Sequence, residues 1–419
     1  MKLYKQVSIY FLSYFVNAGL SFFVLSLLTH HLATYDYGVI NLYSSFLIFL
    51  MPFISGGILY PLSVEYFKRP KETYAAYFTS ANVIPLIGLG ILTVICVTFQ
   101  HPLSSFLRVS PKWIWLMPVT VWWILVNETV MMITRSKNKP FQFAFFSVGK
   151  NIIEIGLTVT LVIGLNWTWP GRLLSAALAP VVVGIVSIYF FFRWRLIEKK
   201  VDWSVSRRIF LLSFPFIFER LAIFVMGYSD KYFIDKFDLR GTAEVGLYGL
   251  ASQLATVIYL VTVSLSGAYL PHLFKKLSEG FKGKIHKTTL WFIAACGAAV
   301  LGMFIAIPVF FRFFIAGNYK DAQPYTYILC TGYFMWGVYN AFVGYLIYLE
   351  KNRQILYISV LGMIVSLTLN TILVMKIGAK GAAITSVITY SVMALACYML
   401  VKKYYIMKGE PAKASTPIV

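Results

Sequence analysis

The sequence predicts an all-α membrane protein of twelve transmembrane helices, arranged as two pseudo-symmetric six-helix bundles. Composition is the first observation. Of 419 residues 59 % are hydrophobic and only 13 % charged, with a mean hydropathy of +0.74, whereas soluble domains devote roughly 25 % of their residues to charge. The second is a set of twelve apolar runs, each of about twenty residues or more, the length a helix needs to cross the hydrocarbon core. The third is a weak internal repeat that relates the first six runs to the last six.

In chain order the runs span 7–29, 38–62, 75–99, 113–134, 142–165 and 172–192, then 209–234, 245–271, 289–311, 324–349, 355–375 and 380–401. The first exceeds the length of a signal-peptide core and has no small-residue cleavage site before His30, so it is read as retained. Pro52, Pro61, Pro85, Pro118, Pro180, Pro215 and Pro308 interrupt the runs, and a missing backbone hydrogen bond at each permits bending. The repeat pairs Gly38 with Gly246, Pro61 with Pro271, Ser136–Lys139 with Glu350–Arg353 and Gly171 with Gly381. Two halves with an even number of helices share one orientation, so the relation is a two-fold axis along the membrane normal. The expected division is a lobe over 1–200 and a second over 201–419 that ends in a short cytoplasmic tail.

The net charge of +21 and pI near 9.7 come from short basic clusters between apolar runs, the pattern of anchored loops rather than of a nucleic-acid surface. With a cytoplasmic N-terminus, 25 of the 37 Lys and Arg fall in inner segments and 10 in outer ones, with Lys150 and Arg220 inside the membrane. The bias places both termini on the cytoplasmic side of the membrane. The inner clusters Arg193–Arg208 and Lys275–Lys287 read as topology anchors, with contact to anionic membrane lipids as the alternative. No loop is long enough for an extramembrane catalytic domain. The sequence has no paired carboxylates, nucleophile elbow or phosphate-cradling glycine loop in a setting for chemistry, so no enzyme, cofactor or metal is expected. Cys96, Cys296, Cys330 and Cys397 all lie inside apolar runs and read as small buried hydrophobes. His30 and His31 are adjacent, point apart on a helix, and read as an interfacial helix end.

The candidate functional residues are charges where the bilayer penalises them. Arg or Asp at a membrane-helix centre costs roughly 2.5–3.5 kcal/mol on insertion scales, so such groups face protein or a solvated cavity. Ile209–Phe237 carries Glu219 and Arg220, and Asp230 and Lys231 follow about three helical turns later, hence on nearly the same face. Lys150 sits at similar depth to Arg220, one cation from each half. Glu154 is at i+4 from Lys150, where an intrahelical ion pair forms readily. Lys150 therefore has two readings, cavity cation or structural partner. Arg220, Lys150, Asn127 and Asn151 are the candidates for substrate binding. Glu128, Glu154, Glu219 and Asp230 are those for ion coupling, since a desolvated carboxylate can load and release a proton. Asn17, Asn340 and Asn370 either line the cavity or bond neighbouring helices. Trp122, Trp123 and Tyr228 are candidates for stacking against sugars.

The turns after the first and fourth runs, Y-D-Y-G and S-K-N-K, the D-K-Y-F-I-D end of the seventh followed by A-E-V-G-L-Y, and A-G-N-Y-K-D-A after the ninth carry a resemblance. Together with twelve helices in two halves, they resemble Wzx-type polysaccharide flippases of the multidrug/oligosaccharidyl-lipid/polysaccharide exporter superfamily. The resemblance implies a MATE-like bundle that rocks to move undecaprenyl-diphosphate-linked oligosaccharide, an O-antigen or capsule repeat unit, to the outer leaflet. It also implies antiport driven by H+ or Na+ and a polysaccharide polymerase downstream. Lipid II flippases of the superfamily carry two further helices, for which the runs leave no place. A MATE-type drug or cation antiporter would call for acids rather than cations in the cavity. A non-transporting scaffold would need no cations at mid-depth.

Overall fold

The computed structural model describes residues 3–279 and 285–407. Residues 408–419, which include the expected cytoplasmic tail, lie outside the described residues, as do Lys282 and Lys284. The described chain is helical with no strand. In order it forms α1 (Leu3–His31), α2 (Thr34–Ser55), α3 (Leu59–Lys68), α4 (Lys71–Thr98), α5 (Gln100–Leu107), α6 (Pro111–Ser136) and α7 (Pro140–Thr158). A π-helical turn, Val159–Gly164, extends α7, and α8 (Thr168–Arg193) follows. Next come α9 (Trp203–Tyr228), α10 (Asp230–Phe237), α11 (Thr242–Ser278), α12 (Lys287–Phe313), α13 (Gln323–Tyr348) and α14 (Asn352–Val401). Among the described residues ten helices are long and apolar enough to cross a membrane, and the protein is a multi-pass membrane protein.

The sequence expectation of twelve separate spans meets local chemistry at three places. The run 38–62 divides into α2 and α3 at Gly56 and Gly57, which adopt φ of 54° and 73°, a conformation that costs a side-chain-bearing residue but not glycine. The run 324–349 forms α13, which is not among the ten. The runs 355–375 and 380–401 both lie in the 50-residue α14, which carries non-helical backbone at Ile377 (φ −138°, ψ 21°) and Gly378 (φ 60°, ψ −146°).

The chain falls into two compact units, Met1–Phe224 and Val225–Val419. The basic linker after α8 is hydrogen-bonded down onto α4 within the first unit. Glu198 N donates to Thr79 Oγ1 at 2.9 Å, Asp202 N to Ser80 Oγ at 3.1 Å and Ser206 Oγ to the Ser80 carbonyl at 2.7 Å. The start of α9 follows, and Ile209 enters the core of the first unit beside Ile84, Val130, Ile133 and Phe146. Between α6 and α8 a glycine permits close approach: a Cβ on Gly184 would lie 2.3 Å from Trp123 Cε3.

In the second unit the core gathers Leu273, Cys296, Tyr345, Leu346 and Cys397. Tyr269 crosses it, its hydroxyl donating to the Ala341 carbonyl at 2.7 Å. All four cysteines are buried and free. The break in α14 is held by Asp238, whose Oδ2 accepts from Ala379 N at 2.9 Å and so caps the second stretch of that helix.

This contact yields a stability prediction. A Cβ on Gly378 would lie 2.1 Å from Asp238 Oδ2, at a positive φ. Gly378→Ala should therefore lower the melting temperature of the detergent-solubilised protein by more than Asp238→Ala, which removes a cap of about 1 kcal/mol. Equal melting of Gly378→Ala and the parent would show that the break does not need this geometry.

Candidate functional site

Three charged residues of the first unit assemble on two helices, α7 and α8. Glu154, on α7, divides its carboxylate between two cations. Its Oε2 lies 2.8 Å from Lys150 Nζ one turn earlier, and its Oε1 lies 2.7 Å from Arg172 Nη2 on α8. Arg172 Nη1 also donates to Thr158 Oγ1 at 3.2 Å. Toward α1 the polar chain continues through neutral groups. Lys150 Nζ approaches Asn151 Oδ1 at 3.5 Å, Asn151 Nδ2 donates to Asn17 Oδ1 at 2.9 Å, and Asn17 Nδ2 donates to Ser147 Oγ at 2.7 Å. Helical spacing explains the alignment, since Ser147, Lys150, Asn151, Glu154 and Thr158 recur at three- and four-residue steps on one face of α7.

Two cations against one carboxylate leave an excess of one positive charge. The cluster is not sealed, for the Lys150 and Arg172 side chains keep 32 % and 18 % of their surface exposed against 14 % for Glu154. Lys150 stands ten residues into α7, about 15 Å from its start at 1.5 Å per residue. Arg172 was not among the residues the sequence singled out; it counts there as a basic residue of the turn before α8. The turn brings it back onto Glu154, and the only sequence signal for this was an acid at membrane depth with a single intrahelical partner.

Arg220 and Glu219 behave differently from the self-neutralising pair that adjacency allows. Both are exposed on α9, and neither has a hydrogen bond or ion pair among the described residues. Asp230 and Lys231, at the start of α10, are by contrast both buried. Within the second unit Asp230 accepts from the Tyr248 hydroxyl and, at 2.9 Å, from Lys231 N. Beside it lies a cavity of about 20 Å³ lined by Tyr248, Ser252, Tyr333, Ser386 and Tyr390. That volume holds about one water molecule.

The remaining candidates divide by burial. Asn127 is buried and donates through Nδ2 to the Pro180 carbonyl at 3.0 Å. It ties α6 to α8 and is withdrawn from the lining. Glu128 is half-buried on α6 with no hydrogen bond or ion pair among the described residues. Asn340 bonds the Trp336 carbonyl on its own helix, and Asn370 bonds Ser366 Oγ. Trp123 packs on Gly184, and Tyr228 has Lys231 Nζ 5.4 Å from its ring centroid. His30 and His31 are exposed and bond carbonyls one turn back. A larger groove of about 600 Å³ in the first unit, lined by Lys112, Trp113, Leu116, Trp167 and Leu174 among others, contains none of the predicted residues.

With the fold and the cluster in view, comparison with known proteins is informative. Residues 3–277 match the family described as polysaccharide biosynthesis protein. An uncharacterized membrane protein of Haemophilus influenzae is 24 % identical over 381 residues, covering 88 % of this chain and 89 % of its own. Among solved structures, the inward closed conformation of lipid II flippase MurJ superposes with a TM-score of 0.76 at 16 % identity, covering 94 % of this chain and 87 % of that one. The inward-facing conformation of a multidrug resistance MATE family transporter of the MOP superfamily gives 0.73 at 13 % identity, over 96 % and 98 %. The chain therefore belongs to the polysaccharide biosynthesis protein family and has the all-helical fold of these two transporters.

Proposed function

We propose that this protein is a flippase. Its cargo is undecaprenyl-diphosphate-linked oligosaccharide, carried from the inner to the outer leaflet of the cytoplasmic membrane by alternating access of lobes over 1–200 and 201–419. Twelve spans, with α14 crossing twice, and cytoplasmic termini complete the architecture. The cycle is coupled to H+ or Na+, and a polysaccharide polymerase consumes the product. The observation that carries the reading is the excess positive charge of the Lys150–Glu154–Arg172 cluster, reinforced by exposed Arg220, which is unpaired among the described residues. A diphosphate with attached sugars is anionic and polar, so its path must offer cations and hydrogen-bond groups at membrane depth. Asn17, Asn151 and Ser147 supply the latter. The family and the fold of a lipid II flippase support the same class of cargo. The fold of a multidrug transporter is equally close, but a drug cation entering here would meet cations.

Arg220→Ala should abolish surface polysaccharide while leaving membrane insertion intact, and Arg220→Lys should be milder because the charge survives. Normal polysaccharide in the alanine variant would sink the role of Arg220. Coupling is assigned to Asp230, with Glu128 as the second acid and Glu154 and Glu219 as comparators. In proteoliposomes Asp230→Asn should remove the dependence of flipping on an imposed pH or sodium gradient. If the dependence survives in Asp230→Asn, Glu128→Gln, Glu154→Gln and Glu219→Gln alike, transport runs downhill on substrate withdrawn at the outer face. The topology is open to a direct check because the native cysteines are buried. A cysteine replacing Lys139 should react with an impermeant maleimide only after permeabilisation, and one replacing Lys112 in intact cells; the reverse pattern would invert the orientation.

A further inference from the structure

We propose that Glu154 is a built-in stand-in for the cargo's phosphate, and that loading consists of the phosphate replacing the Glu154 carboxylate between Lys150 and Arg172. The inference rests on the reading of the cargo as a lipid diphosphate and assigns its recognition to Arg172 and Lys150. The geometry is that of a bridging oxyanion. One oxygen of Glu154 faces each cation, at 2.8 and 2.7 Å, and a phosphate has the same paired oxygens to offer. Arginine is the planar donor suited to such oxygens, and lysine adds a mobile point charge.

The carboxylate is also the member of the trio best placed to leave. Arg172 is held on its far side by Thr158 Oγ1, and Lys150 is steadied by Asn151. Among the described residues the Glu154 carboxylate is held only by the two cations. Its pairing with Lys150 runs in the weaker helical order, with the base N-terminal to the acid. Thr158, which orients Arg172, donates to the Glu154 carbonyl at 2.7 Å, so the backbone under the clamp stays in place when the side chain swings away. Both cations keep exposed surface, whereas the acid between them is the least exposed of the three. An anion arriving from outside the unit therefore reaches the cations first. In the unloaded protein the acid lowers the cost of two neighbouring like charges in an apolar setting. In the loaded protein the cargo takes over that task. The diphosphate, with one negative charge on each phosphate, would also neutralise the excess charge that Glu154 leaves.

The test uses the full-length protein purified in detergent, with farnesyl diphosphate as probe and farnesol as its uncharged control, followed by isothermal titration calorimetry. The parent should bind farnesyl diphosphate and not farnesol. Arg172→Gln should weaken that binding at least ten-fold, with Arg172→Lys intermediate. Glu154→Gln, which removes the competitor, should tighten it about ten-fold. Because loss of any negative charge beside the site favours an anion, the decisive sign is tightening in Glu154→Asp, which keeps the charge while weakening its bridge between the cations. Should Glu154→Gln fail to give a cooperative melt, Glu154→Asp keeps the charge on a shorter stem and should tighten binding by a smaller factor. Weaker or unchanged binding in these Glu154 variants, with the parent binding normally, overturns the stand-in and leaves the flippase reading untouched. A parent that does not distinguish farnesyl diphosphate from farnesol overturns both.

Discussion

A single carboxylate shared by two cations inside the apolar first unit is the constraint on which the arrangement of its helices depends. Moving a carboxylate- or ammonium-sized ion from water to a low-dielectric interior costs of order 20 kcal/mol in the idealised limit and several kcal/mol after relaxation. Three such charges on α7 and α8 are tolerable only if the helices meet in the register that puts Arg172 against Glu154. The register is backed from both sides. Asn127 fixes α6 to α8 at Pro180, and Asn17 fixes α1 to α7 at Ser147 and Asn151. Neutral amides thus set the frame in which the charges balance. The balance is incomplete by one charge, and that deficit is chemical information about whatever enters.

Much of this architecture was legible in the sequence, because a bilayer imposes length and composition so strictly. Each apolar run became helix, and the Lys150–Glu154 pair follows from four-residue spacing alone. Arg172 was not legible, for a physical reason. It lies across a turn, and the end of α7 unwinds into a π-helical turn at Val159–Gly164, whose wider winding changes the direction in which later residues point. Counting residues cannot carry a phase through such a segment. The burial of Asp230 was not legible either, since its partner Tyr248 comes from α11. Asn127 failed differently: an asparagine in an apolar run is equally suited to lining and to bracing, and the neighbouring Pro180 carbonyl decided it.

The turn motifs that carried the resemblance have a different meaning in three dimensions. At the end of α10 the acids of D-K-Y-F-I-D and their neighbours are fasteners. Asp235 accepts from Thr242 at 2.5 Å, Arg240 pairs with Asp321 at 2.9 Å, and Tyr325 donates to Glu244 at 2.5 Å. Asp238 caps the renewed helix after Gly378. These contacts join A-E-V-G-L-Y to A-G-N-Y-K-D-A within the second unit. Motifs of this kind identify a fold because they hold its turns. They are silent about cargo, and the residues proposed to meet it, Lys150, Glu154 and Arg172, lie outside them.

The four candidate carboxylates can be sorted by what their oxygens already hold. An acid can take up a cation without evicting another only if some of its acceptor capacity is uncommitted. Both oxygens of Glu154 are engaged by side-chain cations, so binding of a further cation there would have to displace Lys150 or Arg172. Among the described residues Glu219 is exposed and has no partner to define a site. Glu128 is half-buried and, among the same residues, no donor fixes its position. Asp230 differs from all three. The Tyr248 hydroxyl and Lys231 N–H orient it, and it borders a cavity of about 20 Å³ with serine and tyrosine hydroxyls on its wall. A carboxylate held in one orientation by fixed donors, with hydroxyl oxygens around a space of about one water molecule, has the ingredients of a small-cation site. The two units thus carry opposite chemistries, an excess of cations in the first and an oriented buried acid in the second. This is the complement of groups that an anionic cargo and a coupling cation would each require.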